Sequence, residues 1–297
     1  MNPQPTTALP EINKLWNYSD PADTELKFRE LLPAATEQGD VSYQGELLTQ
    51  IARTYSLRKM FDKAHETLNQ VEQMPLEQYP LIAVRYLLER GRAYNSANEK
   101  FRARELFLKA WDMAKLEQLD YYAVDAAHML AIAEHNPTVQ LQWNEAAIRY
   151  AETAEDPAAM QWLGSLYNNT GWSYHDQGNF EKALKVFEKA LVFRTVHKHP
   201  INTILIAKWC VARAHRSLGN VDEALRLQQN LKAEYEKREL NSDGYVFEEL
   251  ALLYDLKGDK TAASDAAKTA FDLLSTDNYF KQNETARFDK LKVLAAV

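Results

Sequence analysis

The stretch from Gly164 to Leu191, GSLYNNTGWSYHDQGNFEKALKVFEKAL, constrains the fold of this chain more than any other segment. Its small and aromatic residues recur at helical spacing on both sides of a Gly-Asn pair; they are Tyr167, Gly171, Tyr174, Phe180, Ala183, Phe187 and Ala190. Because glycine has the backbone freedom that ends a helix, Gly178-Asn179 predicts a turn between two helices. The small residues allow these helices to cross closely, while the aromatic rings fill the space beside them.

This pattern resembles the tetratricopeptide repeat, whose signature is W-x2-L-G-x2-Y, then A-x3-F, then a further alanine. A single helical hairpin cannot bury its own apolar face, so the resemblance implies further copies stacked beside it. Six copies share one register, and they begin at Gly45, Val84, Asp120, Gly164, Leu205 and Gly244. These starts lie 36 to 44 residues apart, whereas the usual repeat is about 34, which indicates longer helices or longer loops.

The resemblance therefore implies an all-α fold, a right-handed α-α superhelical solenoid of about six helical hairpins. We expect the repeats to span residues 41–275. An N-terminal cap at 1–40 and a C-terminal capping helix at 276–297 should cover the two ends.

Each cap carries its own helix prediction. In the N-terminal cap, a helix should run from Pro21, capped by Asp20, to Thr36, with Pro33 bending it or ending it early. Residues 278–297 should form one amphipathic helix.

Composition and charge exclude several classes of protein. The chain has 46% apolar and 26% charged residues with few glycines and prolines, which suits a helix-rich globular protein. The single Cys210 excludes a disulfide framework and fits a reducing compartment. A net charge of -7 argues against nucleic-acid binding, which needs a basic face. The start of the chain predicts no signal peptide, and no stretch predicts a membrane span. We therefore expect a cytoplasmic protein.

No group of residues predicts catalysis, a cofactor or a metal site. His197 and His199 stand two residues apart before Pro200 without further ligands at zinc spacing, which indicates a solvated loop. The chain has no G-x-S-x-G, no glycine-rich phosphate loop and no activated-cysteine signature. We expect a protein that is not an enzyme and has no cofactor.

In the tetratricopeptide-repeat fold, the first helix of each pair lines the concave surface. The resemblance places two inward rows there. Eight residues after each start stand Arg53, Arg92, His128, Trp172, Arg213 and Leu252. Five residues after each start stand Gln50, Glu89, Asp125, Asn169, Cys210 and Glu249. Each arginine thus faces an acid of the next repeat, as Arg53 faces Glu89. We prefer ion pairs between neighbouring repeats, but contact with an acidic partner stays open.

This pairing lapses where His128 faces Asn169 and where Trp172 faces Cys210. Asparagine side chains suit the backbone of an extended peptide, and tryptophan faces are typical of binding hot spots. The adjacent Asn168 and Asn169 also resemble the Asn-Asn pair of peptide-binding arrays with longer repeats. The predicted peptide-binding groove comprises His128, Asn168, Asn169, Trp172, His175, Trp209, Arg213 and Arg216. The alternative is that the tryptophans only pack between helices.

Two functions are consistent with these sequence features. The first is a non-catalytic scaffold or adaptor that binds a protein or peptide segment, an acidic one if the groove arginines are free. The second is a peptide- or small-ligand-sensing regulator, because the chain resembles bacterial long-repeat receptors of this fold in repeat length. Neither nucleic acid nor a membrane is an expected partner, and homo-oligomerisation through the terminal helices stays open.

Overall fold

The structure is a computed structural model that describes residues 8–296. Residues 1–7 of the expected N-terminal cap and Val297 of the expected C-terminal helix lie outside the described residues. Over 8–296 all regular structure is helical, without a β-strand. Besides short 3-10 helices at Ile12–Leu15 and Leu76–Gln78, the helices are α1 (Pro21–Glu37), α2 (Val41–Leu57), α3 (Phe61–Glu72), α4 (Pro80–Ser96), α5 (Lys100–Leu116), α6 (Asp120–Ala133), α7 (Pro137–Thr153), α8 (Pro157–Met160), α9 (Leu163–Asp176), α10 (Phe180–Val196), α11 (Ile201–Ser217), α12 (Val221–Lys237), α13 (Gly244–Lys257), α14 (Lys260–Leu274), α15 (Asn278–Asn283) and α16 (Thr285–Ala295).

The six expected repeats correspond to six helical pairs: α2–α3, α4–α5, α6–α7, α9–α10, α11–α12 and α13–α14. We call the first helix of each pair its A helix and the second its B helix. The prediction of an all-α chain of repeated hairpins is confirmed. None of the helices described is long and apolar enough to cross a membrane.

The chain divides into two compact units, with unit 1 ending at Leu166 and unit 2 beginning at Tyr167. In unit 1, each A helix packs on the next one, α2 on α4 and α4 on α6. In unit 2, α11 packs on α13 in the same way, and α16 packs on both α13 and α14. Each unit therefore buries the apolar faces of its hairpins by stacking them.

The turn predicted from Gly178-Asn179 is confirmed, and a second turn at Asn136 separates α6 from α7. Gly178 has a left-handed φ of 73°, and the Asn179 N–H donates to the Tyr174 carbonyl at 2.9 Å, which closes α9. At the other turn, the Asn136 side chain accepts the Thr138 N–H at 2.9 Å and so caps the start of α7.

Helix α1 departs from the sequence prediction at its end. Asp20 caps it as expected, its side chain accepting the Asp23 N–H at 3.0 Å. Pro33 does not end it early, however, and the helix continues to Glu37. The turn after Pro33 persists because Ala35 is fully buried and the Thr36 hydroxyl donates to the Leu32 carbonyl at 2.9 Å.

The single C-terminal helix that we expected is wrong, because α15 and α16 are separate helices divided at Glu284. Phe280 in α15 and Phe288 in α16 form an edge-to-face pair with ring centroids 6.1 Å apart. In one continuous helix these residues would be separated by a rise of about 12 Å. The break therefore brings both rings together in the core of unit 2, where Phe280 is fully buried.

The crossing of α9 and α10 depends on a glycine. A Cβ atom added to Gly171 would lie 2.4 Å from a ring carbon of Phe187, and Phe187 is fully buried. Only a residue without a side chain fits this crossing while the ring keeps its position.

We predict that Gly171→Ala lowers the free energy of unfolding by about 1–2 kcal/mol, because overpacking outweighs the gain in helix propensity. Urea unfolding followed by circular dichroism measures this change. Phe187→Leu should partly rescue the Gly171→Ala variant, since the smaller side chain leaves room for the new methyl group. Strictly additive effects of the two substitutions would contradict the close approach.

Candidate functional site

Ion pairs link the A helices of unit 1, as the sequence predicted. The Arg53 guanidinium lies 3.2 Å from the Glu89 carboxylate. Arg92 Nη2 donates to both Asp125 carboxylate oxygens, at 2.5 and 2.6 Å, and Arg92 Nη1 donates to Glu89 at 2.8 Å. The inward arginines of α2 and α4 therefore each bind an acid of the next A helix.

In unit 2, the same rule joins α11 to α13. Arg213 donates to Glu249, and Arg216 donates to both Glu249 oxygens at 2.6 and 2.9 Å. Glu249 is fully buried. Burial alone would raise the pKa of Glu249, but the hydrogen bond from Arg216 and the charges of both arginines hold it below its usual range. Both predicted site arginines are thus engaged within the chain.

Unit 2 contains a cavity of about 640 Å³. Three A helices (α9, α11 and α13) and the break between α15 and α16 contribute its walls. It is lined by Trp172, His175, Asp176, Ile206, Trp209, Arg213, Asp243, Tyr245, Glu284 and Arg287. Four of the predicted groove residues meet here, namely Trp172, His175, Trp209 and Arg213. We call this space the unit 2 cavity.

Three aromatic side chains, one from each A helix, follow one another along the unit 2 cavity. The rings of Trp172 and Trp209 have centroids 5.9 Å apart, and those of Trp209 and Tyr245 are 6.2 Å apart. All three are partly exposed. We call Trp172, Trp209 and Tyr245 the aromatic ladder. It offers a row of apolar faces to anything that enters the cavity.

Contacts within the chain fix the orientation of the two indole rings. The Trp209 N–H donates to the Tyr245 carbonyl at 3.0 Å. The Trp172 ring lies edge-to-face against Phe187 and His175, with centroid distances of 5.2 and 5.1 Å. Burial raises the pKa of the Cys210 thiol to about 12, so the sulfur stays protonated and unreactive at neutral pH.

His175 is held beside the aromatic ladder. Its imidazole lies 5.1 Å from the Trp172 ring and hydrogen-bonds with the Ser217 hydroxyl at 2.8 Å. Burial and the nearby Arg213 charge lower the pKa of His175, so the ring is neutral at pH 7.

Arginine side chains stack on the other two rings of the ladder. The Arg213 guanidinium lies 5.7 Å from the Trp209 ring centroid, and the Arg287 guanidinium lies 5.6 Å from that of Tyr245. Arg287 also donates to both oxygens of the buried Glu248, at 2.8 and 2.6 Å. These distances are within the range of cation–π contacts.

The remaining predicted site residues lie outside the lining of the unit 2 cavity. Asn168 accepts from the Cys210 thiol at 3.6 Å and donates to the exposed Asn169 at 3.4 Å. His128 belongs to unit 1, where its ring lies 5.4 Å from that of Trp162 and burial lowers its pKa. Their roles in binding stay predictions.

Sequence patterns missed some of the lining residues. Ile206 and Tyr245 each stand one residue after a repeat start, so the repeat register contained a usable signal for them. Glu284 and Arg287 lie beyond the last repeat, where that register says nothing. Their place in the wall depends on the break between α15 and α16.

A smaller cavity, of about 180 Å³, lies in unit 1. Its lining includes the ion-paired side chains Arg53, Glu89, Arg92 and Asp125. The polar groups of that cavity already bind one another, so the unit 2 cavity is the stronger candidate site.

Comparison with known proteins identifies the repeat. Residues 164–193 match the family model described as the tetratricopeptide repeat. No curated protein matches the chain. The chain thus carries a tetratricopeptide repeat at the segment from which the register was derived.

Solved structures share the fold at low sequence identity. A signal-transduction ATPase with numerous domains from Pyrococcus horikoshii, described as having a tetratricopeptide repeat sensor, is 14% identical with a TM-score of 0.65, over 94% of this chain and 44% of that one. BtubC from P. vanneervenii is 15% identical with a TM-score of 0.56, over 79% and 95%. The C-terminal part of a TPR repeat-containing protein from Cytophaga hutchinsonii is 16% identical with a TM-score of 0.54, over 90% and 97%. The fold is therefore that of tetratricopeptide-repeat proteins.

We predict that Glu249→Gln destabilises the protein by on the order of 3 kcal/mol, because it leaves two partly buried arginines without their counter-ion. The matched control is Glu223→Gln, which breaks an exposed pair with Arg226 and should change the free energy of unfolding by less than about 0.5 kcal/mol. Urea unfolding at pH 7 measures both.

The same variants test the pH dependence. The folded-state pKa of Glu249 is depressed, so its contribution is present above the unfolded pKa of about 4.3 and is lost as pH falls through the folded value. Stability of the wild type should therefore fall more steeply below about pH 4.5 than that of Glu249→Gln. Parallel curves would show that the pair contributes nothing.

Proposed function

We propose that this chain, with its stacked tetratricopeptide-type hairpins, is a non-catalytic binding protein that holds a peptide or protein segment in the unit 2 cavity. The observation that carries the proposal is the aromatic ladder, in which three successive A helices each present one partly exposed ring to the same space. Fold alone is a weak guide to function. The proposal therefore depends on this arrangement of side chains.

The size of the cavity suits part of an extended peptide. Its volume of about 640 Å³ lies within the usual range of about 300–1,000 Å³ for ligand sites. Packed helices lie about 8–10 Å apart, so three A helices span roughly 20 Å. An extended segment covers that distance with about six residues.

The ladder is also organised before any ligand arrives. The Trp209 N–H donates to the Tyr245 carbonyl, and the Trp172 ring packs against Phe187 and His175, which fixes the ring orientations. Rigid aromatic faces are typical of binding hot spots, since little side-chain freedom is lost when a partner packs on them.

Packing between helices does not account for the whole surface of these rings. Trp172 does pack on Phe187, with centroids 5.2 Å apart, and Tyr245 packs on Phe280 at 5.6 Å. Each ring nevertheless retains exposed surface and lines the cavity. Part of each ring thus packs within the fold, and its exposed part is accessible to a partner.

An acidic partner is the less supported version of this proposal. It required inward arginines with unpaired charge, whereas Arg53, Arg92, Arg213 and Arg216 bind carboxylates of the chain. We therefore assign the binding energy to the aromatic ladder rather than to these arginines.

We predict that Ile206→Asn weakens peptide binding about tenfold, because a polar amide in the middle of the apolar lining must be desolvated. Ile206 is 46% exposed, so the fold should tolerate the change. The matched control is Val192→Asn, in α10 of the same unit, where the side chain is 62% exposed and does not line the cavity.

The measurement is selection of phage-displayed peptides on the wild type, followed by calorimetry of the enriched peptides with all three proteins. Val192→Asn should bind them within about twofold of the wild type. Equal binding by Ile206→Asn, or loss of binding in both variants, would contradict a site in the unit 2 cavity.

A second candidate function is a sensor, in which peptide binding changes the conformation of the chain. The supporting observation is the fold shared over 94% of this chain with the Pyrococcus horikoshii protein, whose repeats are described as a sensor. Small-angle scattering with and without an enriched peptide distinguishes the two. A simple scaffold should show no change in radius of gyration, and a sensor should show one.

A further inference from the structure

We propose that the segment held in the unit 2 cavity carries a lysine or arginine side chain, whose cationic head lies between the aromatic ladder and the carboxylates of the cavity wall. This inference rests on the proposed function, because it specifies the ligand of the same cavity. It reverses the charge expected of the partner from the sequence. The reason is the way in which the charges of the wall are paired.

The side chains that line the cavity carry more negative charges than positive ones. Three carboxylates line the cavity, from Asp176, Asp243 and Glu284, against two guanidinium groups, from Arg213 and Arg287. At neutral pH the lining itself therefore carries an excess of negative charge.

The two lining arginines add little attraction for an anion. Arg287 binds both oxygens of Glu248, which is buried behind the wall. Arg213 and Arg216 share the buried Glu249. When these direct partners are included, five carboxylates stand against three guanidinium groups. An acidic segment would meet net repulsion in this cavity, and a basic one would meet attraction.

Two of the lining carboxylates have no strong cationic partner among residues 8–296. Asp176 is 76% exposed, and its nearest cationic candidate, the His175 imidazole at 3.9 Å, is neutral at pH 7. Asp243 accepts from neutral donors, the Tyr245 N–H at 2.9 Å and the Tyr235 hydroxyl at 3.1 Å. Both carboxylates can therefore gain from a cation that approaches through the cavity.

The aromatic ladder suits the same side chain. Two of its rings already hold guanidinium groups at 5.6 and 5.7 Å, which shows that cations are accommodated on these faces. The aliphatic stem of a lysine or arginine can pack on Ile206 and the Trp172 ring while its head reaches Asp176. A basic side chain thus uses both the apolar and the acidic parts of the wall.

The experiment starts from the peptides that are enriched on the wild type and that bind Ile206→Asn more weakly. They are synthesised with acetylated and amidated ends, so that a terminal ammonium group cannot supply the charge. Calorimetry compares each peptide with versions in which its basic residues become glutamine or glutamate. The protein variants are Asp176→Asn and, as the matched control, Asp272→Asn, which is exposed on α14 and outside the cavity.

We expect a recurrent Lys or Arg in the enriched peptides. Its change to glutamine should weaken binding on the order of tenfold, and its change to glutamate should weaken it further. Asp176→Asn should weaken binding of the basic peptide about twofold to fivefold, leave the glutamine version unchanged, and reduce the salt dependence of binding. Asp272→Asn should behave as the wild type.

The failure of this inference is distinct from the failure of the proposed function. Enriched peptides that are acidic, or that lack a recurrent basic residue, would overturn the inference while the binding function stands. Equal effects of Asp176→Asn and Asp272→Asn would overturn it as well. If no enriched peptide binds Ile206→Asn more weakly than the wild type, the proposed function and the inference fail together.

Discussion

The pairing of arginine on one A helix with an acid on the next is the interaction on which the rest of this structure depends. Apolar packing holds the two helices of a hairpin together, but it leaves inward polar positions to be satisfied along the A helices. Arg53, Arg92 and Arg213 satisfy them by reaching one repeat forward. Because their charges are used within the chain, what remains for a partner in unit 2 is aromatic surface and excess carboxylate.

Most of the fold could be predicted from the sequence because six copies share one register, so each copy supports the assignment of the others. The pattern of small and aromatic residues found in the stretch from Gly164 recurs in the other copies. Each of the six copies forms a helical hairpin. The errors fell where no repeat gives guidance. Pro33 is tolerated inside α1 because tertiary contacts outweigh its local effect. The division of α15 from α16 at Glu284 depends on ring packing between Phe280 and Phe288, which periodicity does not reveal.

The candidate site was predictable in part, for the same reason. Trp172 stood out because it interrupts a regular pattern of charges, and Trp209 because it lies beside that interruption. Tyr245 interrupts no such pattern, although it stands one residue after a repeat start, and Arg287 lies in α16, which the repeat register does not reach. A sequence pattern, such as the pairing of arginine with an acid of the next repeat, identifies the residues that depart from it. Whether they share one cavity depends on neighbouring repeats and on chain ends, which only the structure brings together.

The adjacent residues Glu248 and Glu249 link α13 to two other helices. Glu249 holds α11, Glu248 holds α16, and both carboxylates are buried. A buried acid that has lost its counter-ion is strongly unfavourable, so these two positions cannot change independently of their arginines. Among proteins that share α16, Glu248 and Arg287 should be kept or lost as a pair, and a protein of this fold without α16 should carry a neutral residue in place of Glu248. The presence of α16 is therefore reflected in the sequence of α13.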